Sequence, residues 1–351
     1  MTAPIHLFLT GGTGFIGKAL LRYWLAEKNK PAHEQSQTPA SVTILSRNPQ
    51  GFLAQHPEFA DLPWLRLHWG DMLLPATLPA PVAFPHTAQA PAADTPFSHI
   101  LHAACDSTRG TQLAPLQRYQ QITQGTRHLL EWAAAQSQHY GHMSRLLYIS
   151  SGAVYGAQPK RLERIPENYR GMPDPLDPNN AYGVAKRCAE HLCSLYAQQH
   201  GMEVVVARCF AFVGQDLPRN VHFAIGNFIR DALERPEITI HGDGTPLRSY
   251  MDQRDLAHWL TVLLLRGRSG QAYNVGSEDA LSIAQIAIQV RNLLAPDKPI
   301  CMQADDDPLQ RLRYLPDTRK AREELGLTLR YGLLSAVYEA ATHSQKTVNV
   351  P

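Results

Sequence analysis

The stretch Ile5-His6-Leu7-Phe8-Leu9-Thr10-Gly11-Gly12-Thr13-Gly14-Phe15-Ile16-Gly17 decides the reading of this chain. Residues 5–9 form an apolar run of strand length, and a glycine turn follows at once. Beyond it, Phe15, Ile16, Ala19, Leu20, Tyr23 and Trp24 recur at helical spacing. A strand, a glycine turn and an amphipathic helix in that order make a dinucleotide site. Gly11 permits the tight turn, Gly14 lets the backbone approach a pyrophosphate, and Gly17 lets helix and strand pack closely. The helix N-terminus offers its unpaired N–H groups and the positive end of its dipole to the phosphates.

Further strands are expected at Val42–Leu45, Leu65–Trp69, His99–Ala104, Arg145–Ser150 and Val204–Arg208. Helical patterns over Leu116–Gln138 and Tyr182–His200 separate several of them. Strand and helix in alternation predict an α/β fold, a Rossmann-type doubly wound parallel sheet. Residues 1–210 read as that dinucleotide-binding domain. Glycine and proline turns such as His241-Gly242-Asp243-Gly244-Thr245-Pro246 then mark a smaller C-terminal substrate lobe, mainly residues 211–345. A strand near 271–276 returns to the first domain. Lys28–Ala40 and Leu74–Pro96, polar or rich in alanine and proline, read as surface loops.

The 351 residues carry 33 basic and 31 acidic side chains, with no basic block, so nucleic acid and anionic membrane are poor partners. No apolar run is long enough to span a bilayer, and the N-terminus lacks the pattern of a signal peptide. The five cysteines, at 105, 188, 193, 209 and 301, are scattered, as in a reducing cytoplasm, and no metal-ligand spacing occurs. The expectation is a cytoplasmic protein without a metal.

Tyr182 and Lys186 stand one helical turn apart, on one face. An ammonium there favours phenolate, so the phenol should ionise nearer working pH and exchange a proton with a carbonyl or hydroxyl oxygen. Ser150 and Ser151 close the fifth strand, at the carboxyl end where ligands sit in such sheets. One of the two can hydrogen-bond the reacting oxygen, and the other belongs to the strand-end turn.

Together these pieces resemble the extended short-chain dehydrogenase/reductase superfamily, in particular its nucleotide-sugar epimerase/dehydratase/reductase group. The resemblance runs from about Ile5 to Leu329. It rests on TGGTGFIG, Gly70-Asp71, His102-Ala103-Ala104, SSGAVYG, YGVAK, the segment Gly242–Tyr250, and Asn274-Val275-Gly276. It implies a catalytic set of Ser151, Tyr182 and Lys186. It implies cofactor contacts from Gly11, Thr13, Gly14, Phe15, Ile16, Gly17, Ser46, Arg47, Asp71, Met72, His102, Ala103, Ala104, Tyr182 and Lys186. Asp71 would accept from the adenine amino group. Ser151 and Arg248 would contact a nucleotide-sugar substrate, with Arg248 on its diphosphate.

The chain departs from the pattern in places. Dehydratases of the group resemble Ser-Thr-Asp-Glu-Val-Tyr-Gly after the fifth strand, where the two carboxyls serve as acid and base. Gly152 and Ala153 stand there and cannot titrate. The Arg-x-Phe-Asn pattern appears as Arg208-Cys209-Phe210-Ala211, and Ile122 replaces an asparagine common before Gly125.

The second strand ends in Ser46-Arg47-Asn48-Pro49, with no acid to bind ribose hydroxyls and an arginine suited to a 2′-phosphate. NADP(H) is therefore favoured, with NAD(H) as the alternative. A consumed cofactor and missing dehydratase acids favour NADPH-dependent reduction of a keto nucleotide sugar, such as an NDP-4-keto-6-deoxyhexose. NAD-dependent C4 epimerisation is the alternative, and a non-enzymatic NAD(P)-binding sensor is the second alternative. Apolar residues on the two long helices (Val184, Cys188, Leu192, Leu195 and Tyr196; Leu129, Leu130, Trp132 and Ala133) suggest an isologous homodimer.

Overall fold

The computed structural model describes residues 3–80, 96–105, 113–219, 223–303 and 312–348. Of the loop expected over Leu74–Pro96, residues 81–95 lie outside the described residues. The first half runs β1 (His6–Thr10), α1 (Phe15–Lys28), β2 (Ser41–Ser46), α2 (Pro49–Gln55), β3 (Leu65–Trp69), β4 (His99–His102), α3 (Pro115–Tyr140), β5 (Arg145–Ser151), α4 (Ala181–His200) and β6 (Glu203–Cys209). The second half adds β7 (Phe212–Val213), α5 (Ala224–Glu234), β8 (Ile238–His241), β9 (Leu247–Arg248), β10 (Met251–Asp252), α6 (Gln253–Arg266) and β11 (Gln271–Val275). It ends with β12 (Leu281–Ser282), α7 (Ile283–Leu294), β13 (Ile300–Gln303), β14 (Arg313–Tyr314), α8 (Arg319–Leu325) and α9 (Leu333–Val348).

Seven strands form the central sheet in the order β3-β2-β1-β4-β5-β6-β11, and every neighbouring pair is parallel. Alternation along the strands explains the layers on both faces. Leu7, Leu9, Leu101, Leu147 and Ile149 point to one side, into a cluster with Leu20 and Trp24 of α1 and Trp259 and Leu260 of α6. Phe8, Ile100, Leu146 and Tyr148 point to the other, into a cluster with Leu129 and Leu130 of α3 and Ala185 and Ala189 of α4. A strand covered on both faces is apolar along its middle rather than at alternate positions, which is why Leu7-Phe8-Leu9 of β1 reads as a run. Each fully buried leucine contributes about 1.5–3 kcal/mol of transfer free energy.

A third cluster joins α5, α7 and α9 over the β8–β13 pair through Ile225, Phe228, Ile238, Ile286 and Val337. The span 211–345 is not given over to that lobe alone. Trp259 of α6, Tyr273 of β11 and Ala321 and Leu325 of α8 all join the sheet cluster of Leu7 and Trp24. The chain thus leaves the first domain and returns to it twice.

Two groups of apolar residues behave differently at the long helices. Leu129, Leu130 and Ala133 of α3 are fully buried within the subunit, so their crowding needs no partner. Leu195 of α4 stays 44% exposed and Leu116 of α3 66% exposed.

Candidate active site

The sheet order reverses between β1 and β4, and ligands of such sheets bind at the carboxyl ends beside that switch point. A cleft of about 1630 Å³ opens there, between the sheet and the third cluster. Gly11 leaves β1 with φ +73°, and a Cβ on it would lie 2.5 Å from the Ala103 carbonyl at the end of β4. Only glycine fits there, because the turn needs both a positive φ and a bare Cα. A Cβ on Gly17 would meet the Gly12 backbone at 2.3 Å, so Gly17 lets α1 press against the turn. Gly14 stands at the N-cap of α1 with no side chain covering the helix end. The first N–H groups of α1 therefore remain available to an anion.

Thr13, Gly14, Phe15, Ile16, Ser46, Arg47, Asp71, Met72, Ala103 and Ala104 all line the cleft, as do Ser151, Tyr182, Lys186 and Arg248. Gly17 and His102 do not. Gly17 lies behind the turn. His102 is buried, with Nδ1 2.6 Å from Thr10 Oγ1 and Nε2 3.1 Å from Thr126 Oγ1. It locks β1, β4 and α3 together. Burial, with a smaller push from Lys186, lowers its pKa to about 3, so the ring is neutral.

The cradle fits a nicotinamide dinucleotide: a tight glycine turn, an open helix N-terminus and an arginine after β2. Arg47 is exposed, and the nearby lining of Ser46, Asn48, Gly51, Gln55 and His56 contains no carboxylate. The model of the NAD dependent epimerase/dehydratase family matches residues 7–276. The chain belongs to that family.

Relatives span several activities of the family. The chain is 27% identical over 337 residues to dTDP-glucose 4,6-dehydratase of Streptomyces niveus, covering 95% of this chain and 91% of the relative. It is 34% identical over 185 residues to UDP-glucuronic acid decarboxylase 1 of Xenopus tropicalis, matching 52% of this chain and 42% of the decarboxylase. In fold it is similar to UDP-glucose 4-epimerase from Thermotoga maritima with UDP-glucose, at a TM-score of 0.75 and 19% identity over 98% of this chain and 99% of the other. The structure of RMD from Pseudomonas aeruginosa complexed with NADPH gives a TM-score of 0.73 at 22% identity over 97% and 99%. The chain is thus an extended short-chain dehydrogenase/reductase related to NAD-dependent nucleotide-sugar enzymes.

Within this family member, α4 places Tyr182 and Lys186 against the end of β5. Lys186 is buried, and its ammonium donates to the Ile149 carbonyl oxygen at 2.8 Å. The two serines of β5 separate. Ser150 donates to Glu190 at 2.5 Å, and Arg208 holds the same carboxylate at 2.7 Å. Ser151 instead accepts from the Ala153 N–H at 3.2 Å and lies 3.5 Å from the Tyr314 hydroxyl. Ser150 is the anchor, and Ser151 joins the hydroxyl cluster.

The phenol of Tyr182 does not ionise more easily in the folded chain. Burial pushes it well above the usual tyrosine range and Cys105 adds to that, while a hydrogen bond with Ser151 and the charge of Arg118 act downward. Desolvation of the phenolate outweighs that hydrogen bond and that cation.

Arg118 and Tyr314 are among the lining residues that escaped the sequence reading. Arg118 of α3 lays its guanidinium 4.4 Å from the centre of the Tyr182 ring. Tyr314 of β14 reaches Ser151 from 163 residues further along the chain. A Cβ on Gly152 would lie 2.7 Å from both the Tyr314 hydroxyl and the Phe210 ring. The glycine at 152 was the available signal, because a missing side chain implies that something else fills its space.

Proposed function

We propose that this chain reduces a keto nucleotide sugar, such as an NDP-4-keto-6-deoxyhexose, with NADPH as the consumed cofactor. The observation that carries the reading is the floor of the cleft. Ser151, Tyr182 and Lys186 line it together, while Gly152 and Ala153 supply neither acid nor base for loss of water.

The cofactor supplies a hydride from nicotinamide C4 when bound. Tyr182 gives its proton to the carbonyl oxygen, and Ser151 donates a hydrogen bond to the same oxygen. Lys186 holds α4 to the end of β5, which keeps the phenol and Ser151 in register. Arg248, half-buried in the cleft wall, binds the diphosphate of the sugar nucleotide. Arg47 pairs with the 2′-phosphate, so NADPH is preferred over NADH.

Incubation with NADPH and dTDP-4-keto-6-deoxyglucose tests this directly. Steady loss of NADPH absorbance supports reduction. Interconversion of UDP-glucose and UDP-galactose with no net cofactor change supports C4 epimerisation instead, which uses the same floor and likewise needs no acid at 152 or 153.

The half-exposed face of α4, with Leu195 and the partly buried Leu192 and Tyr196, is the proposed contact of a homodimer. Sedimentation at twice the 39.1 kDa chain mass would agree with it. The five free thiols fit a cytoplasmic setting.

A further inference from the structure

Groups from four parts of the chain act on Tyr182, which is partly buried. Cys105 follows β4, Ser151 ends β5, Tyr314 comes from β14, and Arg118 comes from the first turn of α3. Lys186 shares its helix. Of the two cations, Lys186 is turned towards the strands, donating to the Ile149 carbonyl and standing 5.0 Å from the centre of the Tyr148 ring. Arg118 is the one that covers the Tyr182 ring, at 4.4 Å.

The state of that guanidinium is unusual. No carboxylate lies within ion-pair distance of it among the described residues. Its Nε is shielded from solvent and has no hydrogen-bond partner. A buried donor left unmade costs free energy, so a guanidinium held this way needs another reason to stay. Stacking on an aromatic face is one, since the ring's negative face attracts the cation. The positive charge, paired with no acid among the described residues, then lies over the phenol ring.

We propose that Arg118 is a positioning residue that acts through Tyr182, holding a positive charge over the ring so that the negative charge left when the proton departs is stabilised. The O–H bond of Tyr182 breaks, an O–H bond forms on the substrate's carbonyl oxygen, and the negative charge of the phenolate, shared between oxygen and ring, stays on the ring that the guanidinium covers. This rests on the reading of Tyr182 as proton donor, but it concerns the ionisation of the phenol and can be measured without any substrate.

The test places 3,5-difluorotyrosine at position 182 of the full chain and follows its ring fluorines by NMR against pH. Fluorine makes the phenol more acidic and brings its ionisation within reach. In an Arg118→Met background the ionisation moves to higher pH by about one unit or more, since an opposite charge within about 4–6 Å lowers a pKa by about one to three. Arg118→Lys, which keeps the charge, returns the ionisation towards the parent's. If Arg118→Met does not fold, as judged by thermal unfolding, Arg118→Gln replaces it with the same expectation. Titrations that overlay the parent's would overturn the proposal. So would equal displacement by Met and Lys, because charge would then not be the cause. A shift found in a chain that reduces no keto sugar would keep the proposal and discard the reductase reading.

Discussion

Lys186 donates from its ammonium to the carbonyl oxygen of Ile149 at 2.8 Å, tying the helix that bears Tyr182 to the strand that bears Ser151. The bond is buried and charge-assisted, the stronger kind of hydrogen bond in a protein. It makes the lysine a part of the site's geometry as well as a source of charge.

Tyr182→Phe should therefore lower kcat by roughly 10²–10⁴ while leaving the fold intact, because it keeps the ring and removes the proton donor. Lys186→Met should also lower kcat, through lost register between α4 and β5. Stopped-flow hydride transfer and circular dichroism check both. Near-normal turnover in Tyr182→Phe would remove the phenol from the mechanism.

At position 152 the restored acid should fail. Gly152→Asp brings a side chain into space held by Tyr314 and Phe210, each 2.7 Å from the added Cβ. Overpacking of this kind costs about 1–3 kcal/mol. The variant should lose stability and activity and gain no dehydration of dTDP-glucose. A dehydrated product would show that the pocket accepts the carboxylate.

Arg47→Asp should weaken NADPH binding by roughly tenfold to a hundredfold, the strength of a lost charge-assisted contact plus repulsion. NADH affinity should change by no more than about threefold on the same scale. Fluorescence titration with both cofactors decides it. Equal losses for the two would mean that Arg47 does not read the 2′-phosphate.

Acid should unfold this chain partly through His102. Its folded pKa of about 3 lies below the ordinary histidine value of 6.5, because burial disfavours the charged ring. Between those values the unfolded chain binds a proton that the native chain does not. The stabilisation is complete above about pH 6.5 and is lost as the pH falls towards 3, at up to about 1.4 kcal/mol per pH unit. Urea unfolding at several pH values should show a flatter acid dependence in His102→Gln than in the parent. Parallel curves would contradict this.

The strands of the central sheet were legible because they are short, apolar and bounded by turns, whereas the two- to four-residue strands β7–β10 and β12–β14 were not. Leu65–Trp69 has the expected limits, Gln271–Val275 lies within the expected 271–276, and β4 stops two residues early, at His102. There the Ala103 N–H still bonds Thr10, but the Ala104 N–H goes to the Thr10 hydroxyl rather than along the ladder. The glycine turn, Ser151 and the Tyr182–Lys186 pair were legible because each is a local pattern. Arg118 and Tyr314 were not, since packing brings them to the site from separate segments and no spacing connects them. The ionisation of Tyr182 was misjudged for a related reason. Sequence shows the neighbouring lysine one turn away, whereas burial, which dominates, depends on the whole enclosure.

The most direct measurement is the fate of the hydride. The chain is given dTDP-4-keto-6-deoxyglucose and NADPH deuterated at the transferring position of nicotinamide C4, and the sugar product is analysed by mass spectrometry and NMR. Net reduction predicts one deuterium on the former carbonyl carbon of each product molecule and one NADP⁺ released for each. Unlabelled product, or turnover with no NADP⁺ formed, would contradict it.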